Sequence, residues 1–178
     1  MGRYQKTIFL DRDGTVNEDV GYLSRPEDLY IFPFVKEALS LFNSNGFRLM
    51  VVTNQSGIGR GVYDESALHA IHAKMQKELD NAIDAFYFCP HLPDTGCECR
   101  KPNLGMIEAA KKDHPIDMSG SWVVGDKDID VELGLNCGLR TVLVETGYGR
   151  SHSGILRRRP ERIAANLLEA ARYITNHN

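Results

Sequence analysis

Asp11 and Asp13, one residue apart, end the apolar run Ile8-Phe9-Leu10 and precede Gly14-Thr15. An extended chain alternates its side chains, so residues i and i+2 point the same way. Once the chain leaves a sheet at Gly14, both acids can face one cavity. Two such anions repel each other unless a positive group joins them, and a hard divalent cation with oxygen ligands is the usual partner. Taken alone, the same residues also read as an ordinary Asp-Gly turn. Three further segments decide between the two: Thr53 after an apolar run, Lys101 before Pro102, and Gly125-Asp126 followed by Asp130.

Together these groups fit phosphoryl transfer. That reaction spreads charge over three equatorial oxygens and needs in-line attack, so a site requires a nucleophile, a metal, a fixed cation and hydroxyl or amide donors. Asp11 is the expected nucleophile, giving an aspartyl-phosphate intermediate. Asp13, on the turn, is expected to protonate the leaving oxygen and later to deprotonate the attacking water. Asp126 adds the third carboxylate of a Mg²⁺ site with Asp11 and Asp13. Asp130, one helical turn on, steadies a ligand water or Lys101. Lys101 neutralises phosphate as a point charge, and Thr53 donates its hydroxyl to a phosphoryl oxygen.

A second constellation is Cys89-Pro90-His91 followed five residues later by Cys97-Glu98-Cys99. Four soft or borderline ligands in one short loop suit a closed, tetrahedral, structural zinc site, although residue types alone leave zinc and iron open. The loop, residues 89–102, runs into Arg100-Lys101-Pro102, so its ion would fix two cations at the mouth of the phosphate site.

The elements that must hold these groups are read from periodicity. Strands are expected at Thr7–Leu10, Arg48–Thr53, Ala85–Phe88, Ser121–Val124 and Arg140–Val144. Helices are expected near Phe34–Asn45, Asp64–Asn81 with Asp64 as N-cap, 103–113, 128–136 and Pro160–Thr175. Strict alternation predicts right-handed βαβ units: a Rossmann-like α/β fold with a mostly parallel sheet, helices on both faces and a ligand crevice outside the carboxyl ends of the strands. Arg150–Arg159 reads as an exposed linker. Trp122 and Cys137 read as packed residues, and His69 and His72 as surface residues without partners.

Composition narrows the rest. With 178 residues, 42% of them hydrophobic, the chain is expected to form one domain over 1–178. The net charge is −3 with Lys and Arg dispersed, so no basic face points to nucleic acid. Met1–Lys6 is short and polar, and no stretch approaches the ~18 apolar residues of a membrane span. A cytoplasmic monomer without nucleic-acid or membrane partners is expected.

The ordered set Asp-x-Asp-Gly-Thr, strand-Thr, Lys-Pro and Gly-Asp-x-x-x-Asp, running from residue 7 to about 145, resembles the haloacid dehalogenase superfamily of phosphohydrolases. The Cys/His loop resembles that of one branch, which lacks a large cap domain and holds heptose-bisphosphate phosphatases and histidinol-phosphate phosphatases. Asn17-Glu18-Asp19-Val20-Gly21-Tyr22-Leu23 and Thr53-Asn54-Gln55-Ser56-Gly57-Ile58-Gly59-Arg60-Gly61 are similar to the heptose enzymes, as is Lys127 after Gly125-Asp126. The resemblance implies substrate contacts from Asp19, Gly21, Tyr22, Asn54, Gln55, Ser56 and Arg60. The five-residue gap before Cys97 and Leu92-Pro93 resemble the histidinol branch equally well. The implied reaction is removal of the 7-phosphate of D-glycero-D-manno-heptose 1,7-bisphosphate, in a nucleotide-activated heptose pathway serving lipopolysaccharide or another surface glycan. A bisphosphate would need extra cations, for which Arg100, Lys127 and Arg60 are at hand, although Arg60 also reads as a solvated rim. Histidinol phosphate, with its amine, would instead favour acids such as Asp19. A zinc-stabilised binding module on a dead phosphatase fold is the reading of another class.

Overall fold

Apolar β-branched runs and helical-period segments alternate along the chain, and the fold follows them. In chain order the elements are β1 (Gln5–Leu10), α1 (Val35–Ser44), β2 (Arg48–Asn54), α2 (Ser56–Gly59), α3 (Glu65–Glu78), β3 (Ala85–Cys89), α4 (Gly105–Asp113), β4 (Ile116–Gly125), α5 (Asp128–Asn136), β5 (Arg140–Val144), α6 (Gly149–His152), β6 (Arg162–Ala164) and α7 (Leu167–Asn176). The structure, a computed structural model, describes residues 4–177; Met1–Arg3, half of the polar lead, and Asn178 lie outside the described residues. The strands form one parallel sheet in the order β3-β2-β1-β4-β5-β6. No large cap domain interrupts the described residues, and none of their helices is long and apolar enough to cross a membrane.

Strand alternation divides the core in two. Ile8, Leu10, Leu49, Val51, Trp122 and Val124 pack with α1, α3 and α7, while Phe9, Met50, Val52 and Val123 pack with α4 and Leu133 of α5. Cys137 is half-buried against the second cluster rather than fully buried. The chain runs from β1 outward to β3, then returns to β4 on the other side of β1 and continues to β6. A crevice therefore opens between the carboxyl ends of β1 and β4, where strand order reverses. Asp11 and Asp126 both leave the sheet there, and the Asp11 N–H donates to Val124 O at 2.9 Å.

Three expectations at the elements are corrected. β4 starts five residues earlier than Ser121, because the chain bulges opposite Lys6–Ile8 and the Ser121 hydroxyl accepts the Thr7 N–H at 2.8 Å in place of a ladder carbonyl. The last helix begins at Leu167, not near Pro160: Asn166 caps it by accepting the Glu169 N–H at 3.0 Å, and Arg162–Ala164 pair with Val142–Val144 as a sixth strand. Three residues at a sheet edge carry too short a pattern to register as a strand. The expected linker Arg150–Arg159 opens with α6, and its His152 reaches the crevice.

Candidate active site

Lys101 is the centre of the floor. It is buried, and its ammonium donates to Asp11 Oδ1 at 2.7 Å, to Asp130 Oδ1 at 2.7 Å and to Val52 O at 2.9 Å, using all three of its protons. Burial alone would lower its pKa, but the charges of Asp11 and Asp130 outweigh that and raise it, so Lys101 stays cationic. Asn54 fixes the lysine backbone from both sides, accepting its N–H at 3.0 Å and donating to its carbonyl at 3.3 Å. Asp130 uses its other oxygen on the Lys127 N–H at 3.0 Å. Asp130 is thus held between the Lys101 ammonium and the backbone at Lys127.

Asp126 is different. Its Oδ2 accepts the Tyr148 N–H at 2.8 Å, whereas its buried Oδ1 has no hydrogen-bond partner among the described residues. Burial first, and then the charges of Asp11 and Asp130, push its carboxyl up to about 8. Carboxylate oxygens of Asp11, Asp126 and Asp130 lie within 4.8 Å of one another. A donor-free carboxylate oxygen beside two more carboxylates is the oxygen set that a hard divalent cation takes. The backbone makes room for it: a Cβ on Gly14 would stand 2.2 Å from Asp126 Oδ2, and one on Gly147 2.3 Å from the same atom. Both glycines have positive φ, so the Asp13-Gly14 bend is required by the carboxylate it skirts as well as by the turn.

Asp13 departs from expectation. Its carboxylate stands outside the three-acid cluster and is saturated by protein donors. Oδ1 accepts from Arg12 Nη2 at 2.9 Å and Asn17 Nδ2 at 2.9 Å, and Oδ2 from Arg12 Nη2 at 2.8 Å and Gln55 Nε2 at 2.9 Å. Burial raises its pKa, but the Arg12 guanidinium and these hydrogen bonds more than reverse the effect and hold it below the usual carboxylate range. The two neighbouring acids are thus separated by two different cations rather than bridged by one through both carboxylates. Arg12 is itself fully buried, with Nη1 3.3 Å from His72 Nε2. His72 stacks on Phe86 at 4.3 Å and is buried, not on the surface; burial, then the Arg12 charge, lowers its pKa to about 3. Its place on the stripe of Leu68, Ile71 and Met75 was the available signal. Arg12, between the two acids, carried no periodic signal.

Of these groups, Asp11, Asp13 and Lys101 open onto a cavity of about 510 Å³, while Asp126 and Asp130 are not among its lining residues. Asp11, Asp13, Thr53 and Lys101 form its floor, and Asp19, Gly21, Tyr22, Asn54, Ser56, Arg100 and Lys127 contribute to its walls. Thr53 Oγ1 accepts from Gln55 Nε2 at 2.8 Å, which leaves the threonine proton for a ligand. Gln55 does not line the cavity: it lies behind, joining Thr53, Asp13, Arg12 and Tyr63. Arg60 also lies outside, exposed at the end of α2. Lys127 binds Asp19 at 3.0 Å, and Arg100 donates to His91 O at 3.2 Å. Ile129, Tyr148 and His152 line the cavity without having been anticipated.

The Cys/His loop closes on itself. Cys89 Sγ is 2.9 Å from Cys99 Sγ, 3.5 Å from Cys97 Sγ and 3.5 Å from His91 Nδ1, and His91 Nδ1 is 3.2 Å from Cys99 Sγ. These are not disulfide separations, and all four cysteines of the chain are free thiols. They approach the edges of about 3.8 Å or less of a tetrahedron with metal–ligand bonds near 2.0–2.3 Å. A single soft ion therefore fits the four atoms.

Comparison with known proteins agrees with this geometry. The family described as polynucleotide kinase 3 phosphatase matches residues 6–129, and that described as HAD-hydrolase-like matches residues 98–170. The D-glycero-D-manno-heptose-1,7-bisphosphate 7-phosphatase of Thermosynechococcus vestitus is 40% identical over 96% of this chain and 95% of its own. The D-glycero-beta-D-manno-heptose-1,7-bisphosphate 7-phosphatase of Helicobacter pylori is 38% identical over 84% of this chain and 90% of its own. The crystal structure of D,D-heptose 1,7-bisphosphate phosphatase from B. bronchiseptica, complexed with magnesium and phosphate, superposes with a TM-score of 0.90. It is 33% identical and covers 97% of this chain and 99% of that one. Shared fold, sequence identity and high mutual coverage lead to one assignment: the chain belongs to the haloacid dehalogenase superfamily, in the family of the heptose-1,7-bisphosphate 7-phosphatases.

Proposed function

We propose that the chain hydrolyses the 7-phosphate of D-glycero-D-manno-heptose 1,7-bisphosphate to give heptose 1-phosphate, in the cytoplasm, within nucleotide-activated heptose synthesis. The observation that carries this reading is the buried Asp11–Lys101–Asp130 chain beside the donor-free Asp126 oxygen, of which Asp11 and Lys101 line a cavity whose walls add Arg100 and Lys127. Asp11 attacks phosphorus in line, and the P–O bond to the sugar breaks. Lys101 and the Thr53 hydroxyl take the charge of the transferred oxygens. Asp13 takes a proton from the water that attacks the phospho-aspartate, a step for which the carboxylate held by Arg12 is the form needed, and that proton is the one delivered to the leaving sugar oxygen in the next turnover. Asp11 and Asp126 would hold Mg²⁺, which supplies positive charge to the phosphoryl oxygens. Cys89, His91, Cys97 and Cys99 would hold a structural Zn²⁺ that fixes Arg100 and Lys101.

Asp19 argues against histidinol phosphate, because Lys127 already neutralises the carboxylate that an amine would require. The test is phosphorus NMR of the bisphosphate with enzyme and Mg²⁺. The 7-phosphate signal should be lost while the 1-phosphate remains, and Asp11→Asn should slow the loss by about 10⁴-fold or more without changing the circular dichroism. Release of the 1-phosphate, or faster turnover of histidinol phosphate, would refute the assignment.

A further inference from the structure

We propose that His152, oriented by Asp128, is a binding residue for the phosphate that is not transferred. This role rests on the sugar-bisphosphate reading above and names a contact that neither the motifs nor the family resemblance supplied.

The segment Thr146–His152 hangs directly from the catalytic floor. Thr146 Oγ1 donates to Gly14 O at 2.6 Å, and the Tyr148 N–H donates to Asp126 Oδ2 at 2.8 Å. One turn of α6 then carries His152 into the lining of the cavity. Its Nδ1 is 2.9 Å from Asp128 Oδ1, and Asp128 opens α5 directly after Lys127. The Asp128 N–H, at 3.2 Å, and Asp128 Oδ1 both face Nδ1, which can serve only one of them at a time, so the Nε2 edge is the one left for a ligand. A ring whose Nδ1 accepts the Asp128 N–H carries its proton on Nε2, and that N–H is a donor to a phosphate oxygen.

The surroundings favour an anion over a bare sugar hydroxyl. The Lys127 ammonium lies 4.9 Å from the centre of the Tyr148 ring, and that ring meets His152 edge-on at 6.1 Å, so the three side chains form one wall. Lys127 is already paired with Asp19 at 3.0 Å, which offsets its charge and leaves a dianionic phosphate in need of another donor. Arg100 comes from the loop after β3, at the other end of the sheet from β5 and α6. His152 thus supplies a donor on the side of the cavity that Arg100 does not serve.

Steady-state kinetics on the full-length enzyme with two substrates test this. The substrates are heptose 1,7-bisphosphate and heptose 7-phosphate, which carries only the transferred group. For His152→Ala, KM for the bisphosphate should rise about tenfold with kcat within about twofold, and KM for the monophosphate should not change. His152→Gln, whose amide nitrogen falls near Nε2, should recover most of the loss. His152→Asn, which preserves only the bond to Asp128, should not. An unchanged bisphosphate KM in His152→Ala, an equal rise on both substrates, or rescue by Asn but not Gln would overturn the role. A wild-type enzyme that does not discriminate between the two substrates would overturn the bisphosphate reading itself, together with this inference.

Discussion

The acids of the catalytic floor and the thiols of the Cys/His loop each crowd together groups that need a cation, and the chain answers the two needs differently. On the floor, protein cations meet nearly every carboxylate: Lys101 lies between Asp11 and Asp130, Arg12 grips Asp13, and Lys127 takes Asp19. Among the described residues, Asp126 Oδ1 is a buried carboxylate oxygen left without a donor. In the loop, no Lys or Arg side chain bonds to a thiol sulfur or imidazole nitrogen of the four ligands among the described residues, residues 93–96 are exposed, and burial pushes the Cys89 thiol up. The floor is therefore built by folding and would be tuned by a bound ion, whereas the loop would depend on one for its shape.

Lys101→Met should break this contrast most severely. Removing the buried cation leaves Asp11 and Asp130 opposed without compensation, so stability should fall by about 3–5 kcal/mol in urea titration. Phosphate release should be lost as well. Next in size, stripping the soft ion with a thiol-competing chelator, while Mg²⁺ is kept in excess, should cut activity by about 10–100-fold. Hydrogen exchange should quicken in residues 89–100 but not in β1 or β4. Equal loosening of both regions would erase the distinction drawn here.

Behind the floor, His72 provides a pH test. Its folded pKa, about 3, lies below the ~6.5 of an unfolded histidine, so the unfolded chain binds the extra proton. The stability it contributes is complete above pH ~6.5 and is lost as pH falls toward 3. Between pH 7 and 5 the loss should reach at most about 2 kcal/mol. His72→Gln, which keeps an acceptor for Arg12 and does not titrate, should flatten that slope. The smallest expected effect is at Arg60: Arg60→Ala should leave KM within about twofold, because the residue lies outside the cavity, while Lys127→Ala should raise it about tenfold.

Much of this was legible before any coordinates. Asp11, Thr53, Asp126 and Cys89 each end an apolar run, and a strand end in a parallel sheet is where a ligand crevice must form. The Cys/His spacing announced its own cluster. Gln55 and Arg60 lie in the same motif as Ser56 and Asn54, yet one turns behind the floor and the other out to solvent, because α2 starts between them and rotates successive side chains apart. Tyr148 and His152 were hidden for another reason. They follow β5 in a Gly- and Ser-rich stretch without periodicity, and only the docking of that stretch on Asp126 brings them to the cavity.

By itself the sequence determined which chemical groups the protein possesses, the order in which strands and helices deliver them, and the sheet ends at which they emerge. Apolar periodicity and ligand spacing are local properties of the chain. The tertiary structure alone decided which acid belongs to which cation. Lys101 reaches Asp11 across 90 residues of chain, while Arg12 turns to its neighbour Asp13. Pairing of that kind depends on distances across the fold and on burial, which strengthens a charge pair and penalises an unmatched one, and neither is written in residue spacing.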